Sequence, residues 1–213
     1  MKLSLKILEN NSQIEKSICV ALLPQVTTYF NNVVQFIKLK LPILLKSIII
    51  ESPEYLALTK GNLRLELGIP DAEMRIDDII DTWLQNMVIQ YKPPQIQNNK
   101  IKTSLSIEMI KSDFSDVISL SSAEIQDNIS GSIVPWLRWL LLEGTATLVK
   151  NYEVTFGPNS RSRTGFAVMT EAKNQDWGVP AEYAGTSSDN WITRTIERSK
   201  QDINKLIVEA LSQ

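Results

Sequence analysis

The stretch that decides the fold is residues 12–50, SQIEKSICVALLPQVTTYFNNVVQFIKLKLPILLKSIII. Apolar residues recur in it every three or four positions, which is the spacing of one face of an α-helix. Ser12 and Glu15 have the spacing of a capping box, so we expect the helix to begin there. Pro24 and Pro42 each lack a backbone N–H and are expected to kink or break it. The recurring apolar residues are Ile14, Ile18, Leu22, Val26, Tyr29, Val33, Ile37, Leu41, Leu44 and Ile48.

Shorter elements surround this helix in the first half of the chain. Alternation of apolar and polar residues predicts strands at 3–7, 63–67, 87–91 and 101–109. The prolines at 93 and 94 are expected to stop the third of these strands, leaving residues 95–100 as a hairpin loop. Ser52-Pro53-Glu54 is expected to end the long helix. Asp71 is placed to cap a following helix, whose apolar face is Met74, Ile76, Ile79, Ile80 and Trp83.

The second half of the chain continues with short elements and closes on a helix. Residues 113–120 form a helical turn in this interpretation, and Pro135 sits at the first position of a helix over 136–142 that Gly144 ends. Strands are predicted at 145–149, 152–156 and 164–169, with a loop over 171–186. Asp189 or Ser188 is expected to cap the last helix. The apolar face of that helix is Ile192, Ile196, Ser199, Ile203, Leu206 and Ala210.

The order of these elements predicts the fold class. Helices are segregated from antiparallel strands, and no alternating strand–helix–strand units are present. We therefore expect an α+β fold, in which an antiparallel β-sheet packs against the long kinked N-terminal helix and the C-terminal helix. Nothing in the sequence marks a clear boundary, so residues 1–213 are interpreted as a single domain.

Composition excludes several classes of function. The 213 residues include no histidine and one cysteine, Cys19, which removes Ser-His-Asp and Cys-His catalysis, histidine metal sites and internal disulfides. Cys19 lies in the apolar helical pattern and is interpreted as a buried, inert thiol. The net charge of −2 gives no general attraction to nucleic acid. Lysines within residues 33–50 argue against a membrane span, and no secretory signal is visible. We expect no cofactor, metal or membrane partner.

Two segments are candidate binding sites. Arg161 and Arg163 form a basic loop that could hold a phosphate or a partner's carboxylates, or could be a solvated hairpin loop. Residues 136–142, WLRWLLL, are either a core helix or an exposed docking patch, because tryptophan and arginine are common at interface hot spots. Asp77 and Asp81 share a helix face with Asp78 beside them, and a solvated face is favoured since no calcium-binding loop is present.

The carboxylates nearest the apolar segments are Glu143, Glu153 and Glu182. A glycosidase-like mechanism needs two such groups roughly 5 to 10 Å apart in a cleft, which a sequence does not reveal. Motifs for nucleotide binding and for nucleophilic hydrolysis are absent. The residues therefore favour a protein that is not an enzyme.

Three segments resemble neck and tail-completion proteins of tailed bacteriophages, the virion proteins that join head to tail. Residues 58–67, LTKGNLRLEL, are similar to a turn and strand that follow the long N-terminal helix in that family. Residues 160–169, SRSRTGFAVM, with 177–186, WGVPAEYAGT, resemble a strand and loop of phage virion proteins. Residues 189–194, DNWITR, open a terminal helix as they do in the family. One departure is the additional Lys60 between Thr59 and Gly61.

This resemblance implies a tail terminator or head–tail connector without catalytic residues. It implies a homo-oligomeric ring, hexameric or a multiple, that contacts neighbouring neck or tail proteins while DNA passes through its lumen without specific binding. It implies a location in the virion and, during assembly, in the host cytoplasm. Arg161 and Arg163 are then expected at an inter-subunit or inter-ring contact, with Trp136 and Trp139 packed beneath them. Further interface candidates are Arg138 and Arg194.

Two alternatives stay open at the level of sequence. A small phage-associated adaptor would bind a partner through one patch without forming a ring. A carboxylate-based cell-wall hydrolase would need an ionisable pair drawn from Glu143, Glu153 and Glu182. Concentration-dependent assembly distinguishes the ring from the adaptor, and loss of activity on mutation of these carboxylates would identify the hydrolase.

Overall fold

The computed structural model describes residues 9–108, 114–126 and 131–212. The predicted strand at 3–7 lies outside these residues, as do Met109 and Asp113 at the ends of two other predicted segments. The chain divides into two compact units, which are described separately. Unit 1 consists of Met1–Leu41, Val88–Glu108 and Asn204–Gln213, and unit 2 consists of Pro42–Met87 and Met109–Ile203.

Helices and short antiparallel strands make up the described chain, at 51% helix and 22% strand, which confirms the predicted α+β class. Within the described residues, the strands pair two by two into three separate antiparallel sheets rather than into one sheet. No helix of the described part combines the length and apolar character that crossing a membrane requires. The elements are α1 (Asn11–Ile50), α2 (Pro53–Thr59), α3 (Leu63–Glu66), α4 (Ala72–Gln85), β1 (Val88–Gln97), β2 (Lys100–Glu108), α5 (Ser115–Ile118), β3 (Ile125–Gln126), β4 (Ile133–Val134), α6 (Trp136–Leu142), β5 (Val149–Phe156), β6 (Ala167–Trp177) and α7 (Trp191–Leu211).

The long helix α1 is present as expected, with differences at its start and at its prolines. Asn10 and Gln13 form the capping box, each side chain accepting a hydrogen bond of 2.9 Å from the other's backbone N–H, so the prediction of Ser12 and Glu15 was wrong. The helix continues through Pro24 and Pro42. Each proline removes one helical hydrogen bond, but the other backbone hydrogen bonds on either side of it keep the helix continuous.

Unit 1 contains residues 11–41 of α1, the β1–β2 hairpin and the last turns of α7. The hairpin turns at Asn98 and Asn99, which both have positive φ, as two-residue hairpin turns require. The amide of Asn99 donates to the Ser12 hydroxyl at 2.6 Å, and the Cys19 thiol donates to the Asn99 carbonyl at 3.2 Å. The Tyr29 hydroxyl donates to the Leu211 carbonyl. Cys19 is half-buried rather than buried, because it faces this polar turn.

Strand β1 runs past the point where it was expected to stop. Its pairing with β2 shifts register between Lys92 and Gln95, so Pro93 and Pro94 lie in a bulge and the ladder resumes after them. A bulge leaves its extra residues outside the ladder, and the missing N–H groups of the prolines therefore interrupt few hydrogen bonds. The predicted loop over 95–100 is accordingly only a two-residue turn.

Unit 2 is built around large buried side chains. Trp83, Trp136 and Trp191 are each at most 2% exposed, and all three belong to helices. The Trp191 indole N–H donates to the Ser52 hydroxyl at 2.9 Å, within the core. Ser52 also accepts from the backbone N–H of Tyr55, so it caps α2. The segment expected to end the long helix therefore begins the next one, with Pro53 in its first turn.

The predicted strand over 63–67 was wrong. Residues 63–66 form the four-residue helix α3, and Gly68, where φ is +66°, lies in the turn that follows its last residue by two positions. Leu63, Leu65 and Leu67 are all buried, so the alternation of the sequence reflects real burial. A helix this short is less than two turns long, and its 3.6-residue period does not show in the sequence pattern.

Helix α6, strand β6 and helix α7 follow the prediction with shifted boundaries, whereas the two strands predicted at 145–149 and 152–156 are one strand, β5, that begins only at Val149. Helix α6 occupies the predicted residues, with Pro135 just before its first turn. Strand β6 continues to Trp177, so the loop expected from residue 171 begins only after that residue. Asn190, rather than Asp189 or Ser188, caps α7: its side-chain oxygen accepts from the backbone N–H groups of Ile192 and Thr193 at 3.1 Å.

Replacing Asn190 by alanine should lower the free energy of unfolding by about 1–2 kcal/mol, because two N–H groups at the start of α7 lose their acceptor. Asn190 is fully buried, so water is poorly placed to substitute. Urea denaturation followed by circular dichroism measures the change. Ser188→Ala is the control and should be neutral; an equal loss in Ser188→Ala would show that the cap lies there after all.

Candidate interface site

A cavity of about 510 Å³ in unit 2 has walls that are more apolar than polar. It is lined by α3 and the two residues after it, by β4 and α6, and by β5, β6 and the loop between them. Its volume lies within the roughly 300–1,000 Å³ that is usual for ligand sites. The wall residues include Leu65, Leu67, Val134, Trp139, Val154 and Met169.

Two arginines from the β5–β6 loop line this cavity together with the apolar residues. Arg161 and Arg163 are both exposed, and neither guanidinium forms an ion pair in the part of the chain that the structure describes. The loop is held by its own hydrogen bonds: Asn159 accepts from the Arg161 N–H at 2.9 Å, and the Ser162 hydroxyl accepts from the backbone N–H groups of Thr164 and Ala167 at 3.2 Å. The two charges are therefore presented by a structured loop.

Gly68 positions one of these arginines. A Cβ atom at Gly68 would lie 2.8 Å from Nη2 of Arg163, so the guanidinium rests directly on the glycine backbone. The positive φ of Gly68 already disfavours any other residue there. The turn that ends α3 thus also makes room for the Arg163 side chain at the cavity.

The two tryptophans predicted beneath the arginines lie in different places. Trp139 lines the cavity and packs edge-to-face on Trp177, with 6.2 Å between ring centroids. Trp136 is fully buried in the core of unit 2, where its indole N–H donates to the Ser122 carbonyl at 2.9 Å. The two residues are only about 60° apart around the helix: Trp136 belongs to the fully buried face of α6, and the half-buried Trp139 lies at the edge of that face.

The other two interface candidates are engaged within the fold. Arg138 is exposed and its Nε lies 3.2 Å from Oε1 of Glu143. Arg194 donates from Nε to Oε1 of Glu54 at 3.0 Å and from Nη2 to the Tyr183 carbonyl at 3.2 Å. Glu54 is only 2% exposed, and the sequence analysis did not single it out. The sequence Ser-Pro-Glu is typical of the first turn of a helix, and it could have indicated that Glu54 begins a helix rather than follows one.

The carboxylates considered for catalysis are dispersed. Glu143 pairs with Arg138, and Glu153 is exposed on β5. Glu182 lines a second cavity of about 510 Å³ together with Glu66, which also lines the first. Burial raises the pKa of Glu66, the Trp177 side chain lowers it in part, and the Glu182 carboxylate adds a smaller upward effect. In the described residues, no group of three or more His, Cys, Asp or Glu is arranged to hold a metal ion.

The first cavity is suited to bind a group with an apolar body and an anionic edge. Its walls offer aliphatic and aromatic contact, and its two guanidinium groups, which pair with no described carboxylate, offer planar donors for carboxylates or phosphates. Of the residues predicted as a site, the structure brings Arg161, Arg163 and Trp139 to this cavity.

No family model, no curated protein and no solved structure matches this chain.

Proposed function

We propose that this protein is a non-enzymatic structural subunit of a tailed-bacteriophage neck or tail end. In this role it assembles with copies of itself into a ring around the DNA passage, as a tail terminator or connector that joins head to tail. The resemblance of residues 160–169, 177–186 and 189–194 to that family supports the proposal, whereas residues 63–66, likened to a strand of the family, form helix α3 instead. The charge of the subunit, −2, also suits a lumen through which DNA slides, since basic walls would hold its phosphates.

The observation that carries the proposal is a long uncharged stretch of α1. Residues 17–37 contain no Asp, Glu, Lys or Arg. Within this stretch Ile18 is 53% exposed, Val20 55% and Leu22 44%. Ile18 and Leu22 are four residues apart and share a face on consecutive turns, and exposed apolar residues arranged in this way, without charges between them, are characteristic of surfaces that another protein covers. A subunit of a closed assembly has such a covering partner in every copy.

The native mass of the purified protein over a concentration series tests the proposal. We expect a discrete closed oligomer, such as a hexamer, to form as the concentration rises. Ile18→Lys with Leu22→Lys should raise the concentration of half-assembly by at least about tenfold, because each places a charge on the covered surface. Gln201→Lys, on the exposed side of α7, is the matched control and should assemble normally.

Two results would contradict the proposal. A strict monomer at every concentration would favour the adaptor, which binds its partner without a ring. Normal assembly of the Ile18→Lys/Leu22→Lys variant would show that the uncharged stretch of α1 is not covered by another subunit.

A further inference from the structure

We propose that neighbouring subunits join head to tail through unit 2, with an acidic surface on one copy seated in the arginine-lined cavity of the next. This inference rests on the proposed function, because it names the contact from which a ring would be built. The acidic surface is called the acidic knob below. It consists of Asp71, Glu73, Met74, Asp77 and Asp78, on and just before the first two turns of α4.

An exposed methionine lies among the carboxylates of the acidic knob. Met74, which was expected on the apolar face of α4, is instead 67% exposed, whereas Ile76, Ile79, Ile80 and Trp83 are buried as expected. Asp77 and Asp78 follow it by three and four residues, so they share its face of the helix, and Glu73 is exposed beside it. Asp71 precedes α4, as the sequence predicted, but in the described chain its side chain makes no capping hydrogen bond and remains exposed.

The charge of the acidic knob is not neutralised within the described part of the subunit. The Arg75 guanidinium donates to the carbonyls of Ser121 and Glu124 at 3.1 Å, so the nearest cation is bound elsewhere. Lys46 pairs with Asp81, one turn beyond the knob. Asp77 and Asp78 accept hydrogen bonds only from neutral hydroxyls, those of Tyr55 and Ser122, among the residues described. The four carboxylates that neighbour Met74 along the chain therefore form no ion pair with any described residue.

The cavity described above has the complementary chemistry. It presents two exposed guanidinium groups without ion pairs in the described residues, together with one half-buried carboxylate, Glu66, so the cavity remains net basic against the four carboxylates of the knob. Its apolar walls include Met169 and Trp139, and an unbranched methionine side chain fits irregular apolar cavities well. Insertion of Met74 would bring the knob carboxylates to the arginines, where bidentate pairing is favourable. Charge complementarity of this kind fixes both partner and orientation.

The knob and the cavity share no residue, although both belong to unit 2. In the proposed contact one subunit donates its knob to a neighbour and accepts the knob of another. Such a contact is heterologous, and it repeats from copy to copy until the rotation closes a ring. Two copies that exchanged knobs reciprocally would instead stop at a dimer, which the native mass distinguishes from a ring.

Charge reversal in two separate variants tests this contact. Arg161→Glu with Arg163→Glu makes the cavity acidic, and Asp71→Lys with Glu73→Lys and Asp78→Lys makes the knob basic, because three lysines then outnumber the one remaining carboxylate, Asp77. Alone, each variant should need at least about tenfold higher concentration for half-assembly than the wild type, because like charges then face each other. Mixed in equal amounts, they should assemble as an alternating oligomer, since each variant's cavity then matches the other's knob.

Site-specific crosslinking provides an independent test. In an otherwise wild-type chain, the photocrosslinker p-benzoylphenylalanine replaces Met74. Subunits labelled with 14N and with 15N are then mixed before irradiation. We expect crosslinks between a light and a heavy chain that map to residues 159–170. Met74→Leu should assemble normally and Met74→Asp poorly, which separates the apolar contact from the charges.

The outcomes separate this inference from the proposed function. A wild-type oligomer whose assembly is unchanged by both charge reversals overturns the inference and leaves the ring standing. Crosslinks to other residues, or to a different protein, also overturn it. A strict wild-type monomer without intermolecular crosslinks overturns both. Rescue by mixing supports the contact and also shows that both variants are folded.

Discussion

Replacing Glu54 by alanine should lower the free energy of unfolding by about 2–4 kcal/mol. The Glu54 carboxylate is buried, and it accepts hydrogen bonds from Nε of Arg194 at 3.0 Å and from Nη1 of Arg198 at 3.3 Å. Removing one partner of a buried ion pair typically costs about 3–5 kcal/mol, because the remaining charge has lost its partner. The expected loss is slightly smaller here, since the Arg198 side chain is 49% exposed and water partly solvates it.

Chemical denaturation of the purified variant measures this loss. Glu197→Ala is the matched control, because it also removes a glutamate from an ion pair, that with Lys200, but both side chains of that pair are more than 60% exposed. Such exposed ion pairs contribute about 0–1 kcal/mol to the free energy of unfolding. If Glu54→Ala were as mild as Glu197→Ala, the Glu54 cluster would contribute little to the fold.

Replacing Trp136 by alanine should lower the free energy of unfolding by about 3–5 kcal/mol. Trp136 has no exposed surface, so the substitution leaves a large cavity in the core of unit 2. It also leaves the Ser122 carbonyl without its indole donor. Thermal unfolding by calorimetry or circular dichroism provides the measurement.

Two further variants show which part of the Trp136 side chain matters. Trp136→Phe keeps an aromatic ring and should lose less than half as much stability as Trp136→Ala. Trp139→Ala, at the half-buried residue that lines the cavity, should cost less stability but should weaken assembly. Equal stability losses at Trp136 and Trp139 would contradict the assignment of one to the core and the other to the cavity.

Segments with sustained periodicity could be predicted from the sequence. Helix α4 shows four turns of apolar residues, and α6 has a proline before it and a glycine after it, so their positions followed from local chemistry. The strand over 63–67 could not be predicted correctly, because burial on alternate residues is compatible with a short helix and turn inside a core. The continuation of β1 past Pro93 depended on a bulge that only pairing with β2 defines.

The candidate site could be predicted only where it depends on the local sequence. Arg161 and Arg163 stand in a loop whose glycine, proline and serine residues mark it as exposed, and exposure is a local property. Their proximity to Leu65 and Trp139 depends on tertiary packing. The contact of Arg194 with Glu54 joins residues 140 positions apart, and nothing in either local sequence indicates the other.

The wide separation of contacting residues in unit 1 has a consequence for synthesis of the chain. Tyr29 donates to the carbonyl of Leu211, and the cavity of this unit is lined by Val33 and Ile37 together with Ile207. A ribosome releases the chain from its amino end, so the uncharged residues 17–37 emerge long before the segment that helps to cover them. During that interval this stretch is a natural binding segment for chaperones at the tunnel exit, and the speed of translation sets how long it needs their protection.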